Sequence, residues 1–197
     1  MKHALEGILA IRKEEMRRRL DEKLKAVFKK IIRKNVTPTL GEGFELTLQQ
    51  DLGGGVVAPM AKSTDENQVL SVSFVAAVSE LAREIRTGRR AEGEQPADAG
   101  TYPIVMDATF GSLDSRYQEA VADVLAKMAP QHIVLVSKSQ GLNQVLPQLM
   151  PFISHNGVIE TRTTADGNVN EDIKLSGMSY PYIRASETDR TELKVIQ

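Results

Sequence analysis

The order of apolar and polar positions divides the chain into helical and extended stretches. Over residues 4–34, Leu5, Ile8, Met16, Leu20, Leu24, Val27, Phe28 and Ile31 fall at helical spacing, with charged residues between them and no Pro before Pro38. This pattern predicts one long amphipathic helix, whose narrow seam suits either a coiled-coil partner or packing on the chain's own domain. Residues 44–48 alternate apolar and polar side chains and predict a strand; a glycine turn at 49–55 follows, and a returning strand starts at Val56. Residues 62–85 predict a second helix, broad and largely buried through Val69, Leu70, Val72, Phe74, Ala76, Ala77, Val78 and Leu81. Ser63 and Glu66 have the spacing of a capping box at its start. Residues 85–101, rich in Gly, Ala and charge, predict a mobile surface loop.

Residues 102–106 form an apolar run that ends in Asp107, and a short loop through Gly111, Ser112 and Leu113 leads to Asp114. Such a run predicts a buried parallel strand. Residues 115–129 predict a helix, residues 132–136 a second buried strand, and the polar Ser137, Lys138, Ser139 and Gln140 come next. A short helix at 142–149 and late strands at 152–163, 180–185 and 192–196 complete the pattern, with turns at Asn156-Gly157 and Asp166-Gly167. An acid at the carboxyl edge of a parallel strand has two readings. It holds a hydrated Mg²⁺ against phosphate, or it caps the following turn.

Composition narrows the class. A chain of 197 residues with 41% hydrophobic content can bury one core and carry an appendage. The absence of Cys excludes a disulfide framework or thiolate metal site. No apolar run reaches transmembrane length and the start lacks a signal-peptide core, so the expectation is a soluble, cytoplasmic protein without a membrane partner. His3, His132 and His155 are too scattered to suggest a metal site. Arg17, Arg18, Arg19, Lys29, Lys30, Arg33 and Lys34 make the first helix basic. They read either as a solvated face or as contacts to DNA phosphates. Gly53, Gly54 and Gly55 do not meet the spacing of a P-loop, and no other segment does.

Taken together, strand, Asp107, loop with Asp114, helix, strand and polar switch resemble the C-terminal half of an ABC-type ATPase head of the SMC kind. Residues 103–107 (PIVMD) match the Walker B strand, residues 111–114 (GSLD) the D-loop, and Lys138 stands where the family places its switch histidine. Residues 62–74 (KSTDENQVLSVSF) resemble the signature motif, and the wording around Asp107 and Lys138 is similar to the DNA sulfur-modification ATPase DndD. The resemblance implies an α/β fold: a P-loop NTPase-like half-head with a mostly parallel sheet, flanking helices, additional antiparallel strands and a coiled-coil-like helix. It implies a division into residues 1–36, the basic helix, and 37–197, the C-terminal lobe. It further implies ATP and Mg²⁺ as cofactors, with Asp107 holding Mg²⁺ through water and Lys138 beside it. Ser63, Thr64 and Glu66 would meet the γ-phosphate, and Ser112 and Asp114 a head–head interface. The implied partners are a P-loop-bearing half, a second head and DNA. Asp65 stands where the signature has Gly, Ala108 where many relatives have Glu, and Lys138 replaces His. These departures leave open a non-hydrolysing dimerisation or DNA-scaffolding module. An unrelated α/β phosphate-binding enzyme using Asp107 and Asp114 is a third reading.

Overall fold

The computed structural model describes residues 2–91, 103–107, 109–111, 113–129, 131–140, 145–164, 170–175 and 177–196. In order, its elements are α1 (Lys2–Ile31), β1 (Val36–Leu40), β2 (Leu46–Asp51), β3 (Val57–Met60), α2 (Thr64–Ala91), β4 (Ile104–Asp107), α3 (Ser115–Met128) and β5 (His132–Leu135). Then come α4 (Val145–Leu149), β6 (Asn156–Thr163), β7 (Glu171–Leu175), β8 (Met178–Ala185) and β9 (Arg190–Ile196). The chain divides into two compact units, Met1–Leu149 and Met150–Gln197. The C-terminal half of α1 belongs to the core of the first unit.

That core is built by α1, α2 and α3. Leu24, Val27, Phe28 and Ile31 of α1 pack with Val69, Leu70, Ala76 and Ala77 of α2 and with Val121 and Leu125 of α3. The seam of α1 splits near Met16: Leu20 onward is buried, whereas Leu5, Ile8, Leu9 and Ile11 are exposed. Lys23 ties α1 to α2 through Glu80 at 3.2 Å and Glu84 at 2.5 Å. Helix α2 continues to Ala91, so residues 85–91 are helical rather than part of a loop. Arg and Ala are good helix formers and need no apolar period to extend a helix already nucleated by packing. Residues 92–100 of the expected loop lie outside the described residues.

β1, β2 and β3 form an antiparallel sheet in that order. Pro38 sits in β1, an edge strand, where its missing N–H is tolerated. Strand β2 starts at Leu46 and not at 44, because Phe44 turns into the left-handed region (φ 66) and donates its N–H to the Gly41 carbonyl at 3.0 Å. The Lys13 ammonium lies 5.6 Å from the Phe44 ring centre, within cation–π range. Gly53, Gly54 and Gly55 all have positive φ and close the β2–β3 hairpin, a conformation open to Gly at little cost.

β4 and β5 form a separate two-stranded parallel sheet, joined by α3. In the second unit the order is β7-β8-β6-β9, with β6 and β8 parallel and the other neighbours antiparallel. The expected α/β arrangement is seen in part: β4 and β5 make the parallel pair linked by a helical crossover, β6 and β8 are also parallel, and the remaining described strand pairs are antiparallel. The expected turn at Asn156-Gly157 is the start of β6. A Cβ on Gly157 would lie 2.9 Å from the Lys194 carbonyl, so glycine here admits the close approach of β9. β7 was hidden in the sequence by its charges, and a bulge at Tyr182 of β8 shifts the register between the two strands. The turn at Asp166-Gly167 and the first residues of the expected helix at 142–149 lie outside the described residues. No described helix is long and apolar enough to cross a membrane.

Candidate functional site

Register places the candidate acid at a sheet edge. β4 pairs with β5 so that Asp107 stands opposite Leu135, at the carboxyl ends of both strands. Lys138 follows in a short 3-10 turn beyond that end of β5. The two residues singled out for catalysis thus come from neighbouring parallel strands at one edge. The Asp107 side chain is exposed and makes no side-chain hydrogen bond or ion pair among the described residues. A free carboxylate at this edge fits outer-sphere contact with a hydrated Mg²⁺, which takes one or two carboxylates from protein and the rest from phosphate and water. Among the described residues no group of three or more His, Asp or Glu could hold a metal by protein ligands alone.

Two glutamines hold the loop that follows. Gln68 of α2 donates from its side-chain amide to the Thr109 carbonyl. Gln118 of α3 donates to the carbonyls of Phe110 and Leu113 at 3.2 and 2.9 Å. With Phe110 fully buried, the loop is fixed to both helices. Nothing in local spacing marks Gln68 for this work, although Gln118 could have been suspected from its place one turn after the helix start. Asp114 is the N-cap of α3, accepting from the Arg116 N–H at 3.0 Å. That backbone N–H, together with the nearby Arg116 charge, holds its carboxyl below the usual range. The capping reading left open for the strand-end acid therefore belongs to Asp114. Ser112 and Ala108 lie outside the described residues.

The start of α2 is a reciprocal capping box. The Glu66 N–H donates to the Ser63 hydroxyl at 3.2 Å, and the Ser63 N–H donates to the Glu66 carboxylate at 3.1 Å. Ser63 and Thr64 are exposed, whereas Glu66 is buried and also accepts from Lys34 at 3.0 Å. Burial would push the Glu66 carboxyl up, but the hydrogen bonds from Ser63 and Lys34 outweigh it and hold it below its ordinary value. Lys34 is raised by the Glu66 hydrogen bond and by Tyr117 of α3. One buried acid thus joins the segment after α1, the first turn of α2 and α3. Lys62 donates to the Leu46 carbonyl at 3.0 Å.

The basic residues of α1 separate into two groups. Arg17 pairs with Glu14 and donates to the Leu40 carbonyl at 2.6 Å; Arg18 pairs with Glu22 at 2.7 Å, and Arg19 with Glu84 at 3.5 Å. Lys34 is held by Glu66. Lys29 and Lys30 at the end of α1 and Arg33 just after it are exposed and carry no ion pair among the described residues. His132 is half-buried in β5, its Nε2 has no hydrogen-bond partner among the described residues, and desolvation lowers its pKa.

Among the described residues, nothing covers one face of β4 and β5. Val105 is 60% exposed and Ile133 44%, with Asp107 and Leu135 on the same face, whereas Met106 on the opposite face is buried. A parallel pair with one apolar face in water is an incomplete layer by the usual rule for such sheets.

No protein-family model and no curated protein matches this chain. A solved structure described as structural biochemistry of ATP-driven dimerization and DNA stimulated activation of SMC ATPases is similar over 89% of this chain and 86% of its own, at 14% identity and a TM-score of 0.46. An Smc head domain with an extended coiled coil, bound to the C-terminal domain of ScpA and derived from Pyrococcus furiosus, is similar over 81% of this chain, at 16% identity and a TM-score of 0.45. This chain covers 37% of the length of the latter.

Proposed function

We propose that the chain is the C-terminal part of an SMC-like, DndD-related ATPase head that binds ATP and Mg²⁺ between two heads and acts on DNA. The bare face of β4 and β5 carries this reading. Two parallel strands do not make a stable sheet, and parallel sheets in α/β domains are covered on both faces. The missing strands and layer come from a half that bears the P-loop, which this sequence lacks.

In that composite site, Asp107 at the edge of β4 would hold Mg²⁺ through water, and the metal, when bound, would offset the charge of the phosphates. Lys138, from the adjacent strand end, adds positive charge at the same edge. The Ser63 hydroxyl, Thr64 and the free N–H groups of α2 face a γ-phosphate presented by the opposing head. Glu66 serves by shaping that turn, since its carboxylate is committed to Ser63 and Lys34. Asp114 sets the start of α3 at the same interface. Lys29, Lys30 and Arg33 supply contacts to DNA phosphate.

The test mixes the chain with a P-loop-bearing half and measures, by calorimetry, binding of a non-hydrolysable ATP analogue with Mg²⁺. Binding in the mixture and not with the chain alone is expected, with ATP turnover that Asp107→Ala lowers by at least tenfold. Absence of binding, with both halves folded and associated, would move the conclusion to a dimerisation or DNA-scaffolding module. Asp65 in the first turn of α2 favours that alternative, because a carboxylate at a helix start that is to receive phosphate adds like-charge repulsion.

A further inference from the structure

β9 is the last strand of its sheet, paired with β6 on one side and with nothing described on the other. Exposed edge strands are normally guarded by Pro, bulges or outward charges. The opposite edge of this sheet is guarded, since β7 is short and charged and its ladder with β8 is broken by a bulge at Tyr182. β9 contains no Pro and no Gly, and its ladder with β6 runs without interruption from Arg190 to Ile196. Lys194, which could guard it, is drawn back onto the buried Glu160. Leu193 and Val195 are 70% and 67% exposed, beside the exposed Ile159 of β6.

We propose that β9 pairs antiparallel with β9 of a second copy about a two-fold axis at Leu193, joining two four-stranded sheets into one. The charge pattern selects both the occupant and the register. Centred on Leu193, the pairing sets Glu192 against Lys194 of the second copy and Thr191 against Val195, and it brings the two Leu193 side chains together on the apolar face. Centred on Glu192, the same strands would set Glu192 against itself and Arg190 against Lys194. Centred on Lys194, they would set Lys194 against itself. A slip by one residue would turn the apolar set of one copy onto the charged set of the other. Like charges directly opposite destabilise a pair and opposite charges support it; the register centred on Leu193 pairs all 7 residues of β9 with Arg190 facing Ile196, whereas one centred on Thr191 also opposes unlike charges but pairs only the first residues of the strand. The Glu160–Lys194 pairing within each sheet then continues across the axis to Glu192 of the second copy. This interface needs neither nucleotide nor the P-loop half.

The chain has no Cys, so an introduced one reports without background. Facing residues of an antiparallel pair have Cα atoms about 4.5–5.5 Å apart, within the range of about 4.4–6.8 Å that a disulfide spans. Leu193→Cys is therefore expected to cross-link to its own copy under mild oxidation in the absence of ATP. Thr191→Cys alone would place its two thiols four residues apart along the strand, about 13 Å, and should stay monomeric. Mixed with Val195→Cys, it should yield a heterodimer. In sedimentation equilibrium the unmodified chain is expected to self-associate with concentration, and Leu193→Lys, with its circular dichroism unchanged, to abolish this. Equal cross-linking at positions 191 and 193, or a monomer at all concentrations, overturns the proposal. Because no nucleotide is used, neither result bears on ATP-dependent joining of heads.

Discussion

Glu66 combines burial with charge, and its surroundings settle which prevails. The carboxylate receives the Ser63 N–H and the Lys34 ammonium, and its folded pKa lies below the ordinary 4.5. A carboxyl depressed in the folded state contributes stability that is present above the unfolded pKa and lost as pH falls through the folded one. Glu66→Gln keeps an acceptor for the cap but loses the ion pair. It should destabilise the protein by about 1 kcal/mol at neutral pH, less than a fully buried charged hydrogen bond because Lys34 is partly solvated. Urea titrations should show this gap closing below pH 4.5, as wild-type Glu66 is protonated. A gap that persists well into acid would mean that cap geometry, rather than charge, was lost. The cap was legible in the sequence because both members lie within one turn. Lys34 was not, since it stands far from Glu66 in the chain and only packing brings it there.

At the scale of elements, β4 and β5 carry the clearest difference between pattern and structure. Both apolar runs read as buried strands, and both strands formed. Only alternate residues are covered by the described residues, however. Val105→Lys should accordingly change the stability of the chain by no more than about 0.5 kcal/mol, as for a surface position. The same change should prevent association with a P-loop-bearing half, measured by calorimetry. A destabilisation of several kcal/mol would mean that the face is already covered and would remove the main support for the half-head. Other elements escaped the pattern for local reasons. Pro38 disguised β1 and the charges of β7 disguised that strand, while α2 ran past its last apolar residue on propensity. The edge with Asp107 and the cap at Ser63 were readable because each motif is contiguous. The Gln68 and Gln118 bonds that hold the intervening loop were not.

For the whole molecule, the uneven distribution of buried apolar side chains sets how it opens. The principal core cluster lies entirely in Met1–Leu149, built on three helices. In Met150–Gln197 the buried apolar side chains among the described residues are Val158 and Ile173, beside the charged Glu160. A small unit with little apolar burial cannot offset much chain entropy, so its stability rests on sheet hydrogen bonds and the ion pairs of Glu160 with Lys194 and Arg162. Hydrogen exchange followed by mass spectrometry should find the amides of β6 to β9 opening at lower free energy than those of α2 and α3. Urea unfolding should then be non-coincident between probes in the two units. A single cooperative transition with uniform protection would show that the units share their stability. The self-pairing of β9 gives this experiment a further handle. Its amides should gain protection as protein concentration rises, while those of α2 and α3 stay constant. Mass action acts only on the strand that the second copy covers.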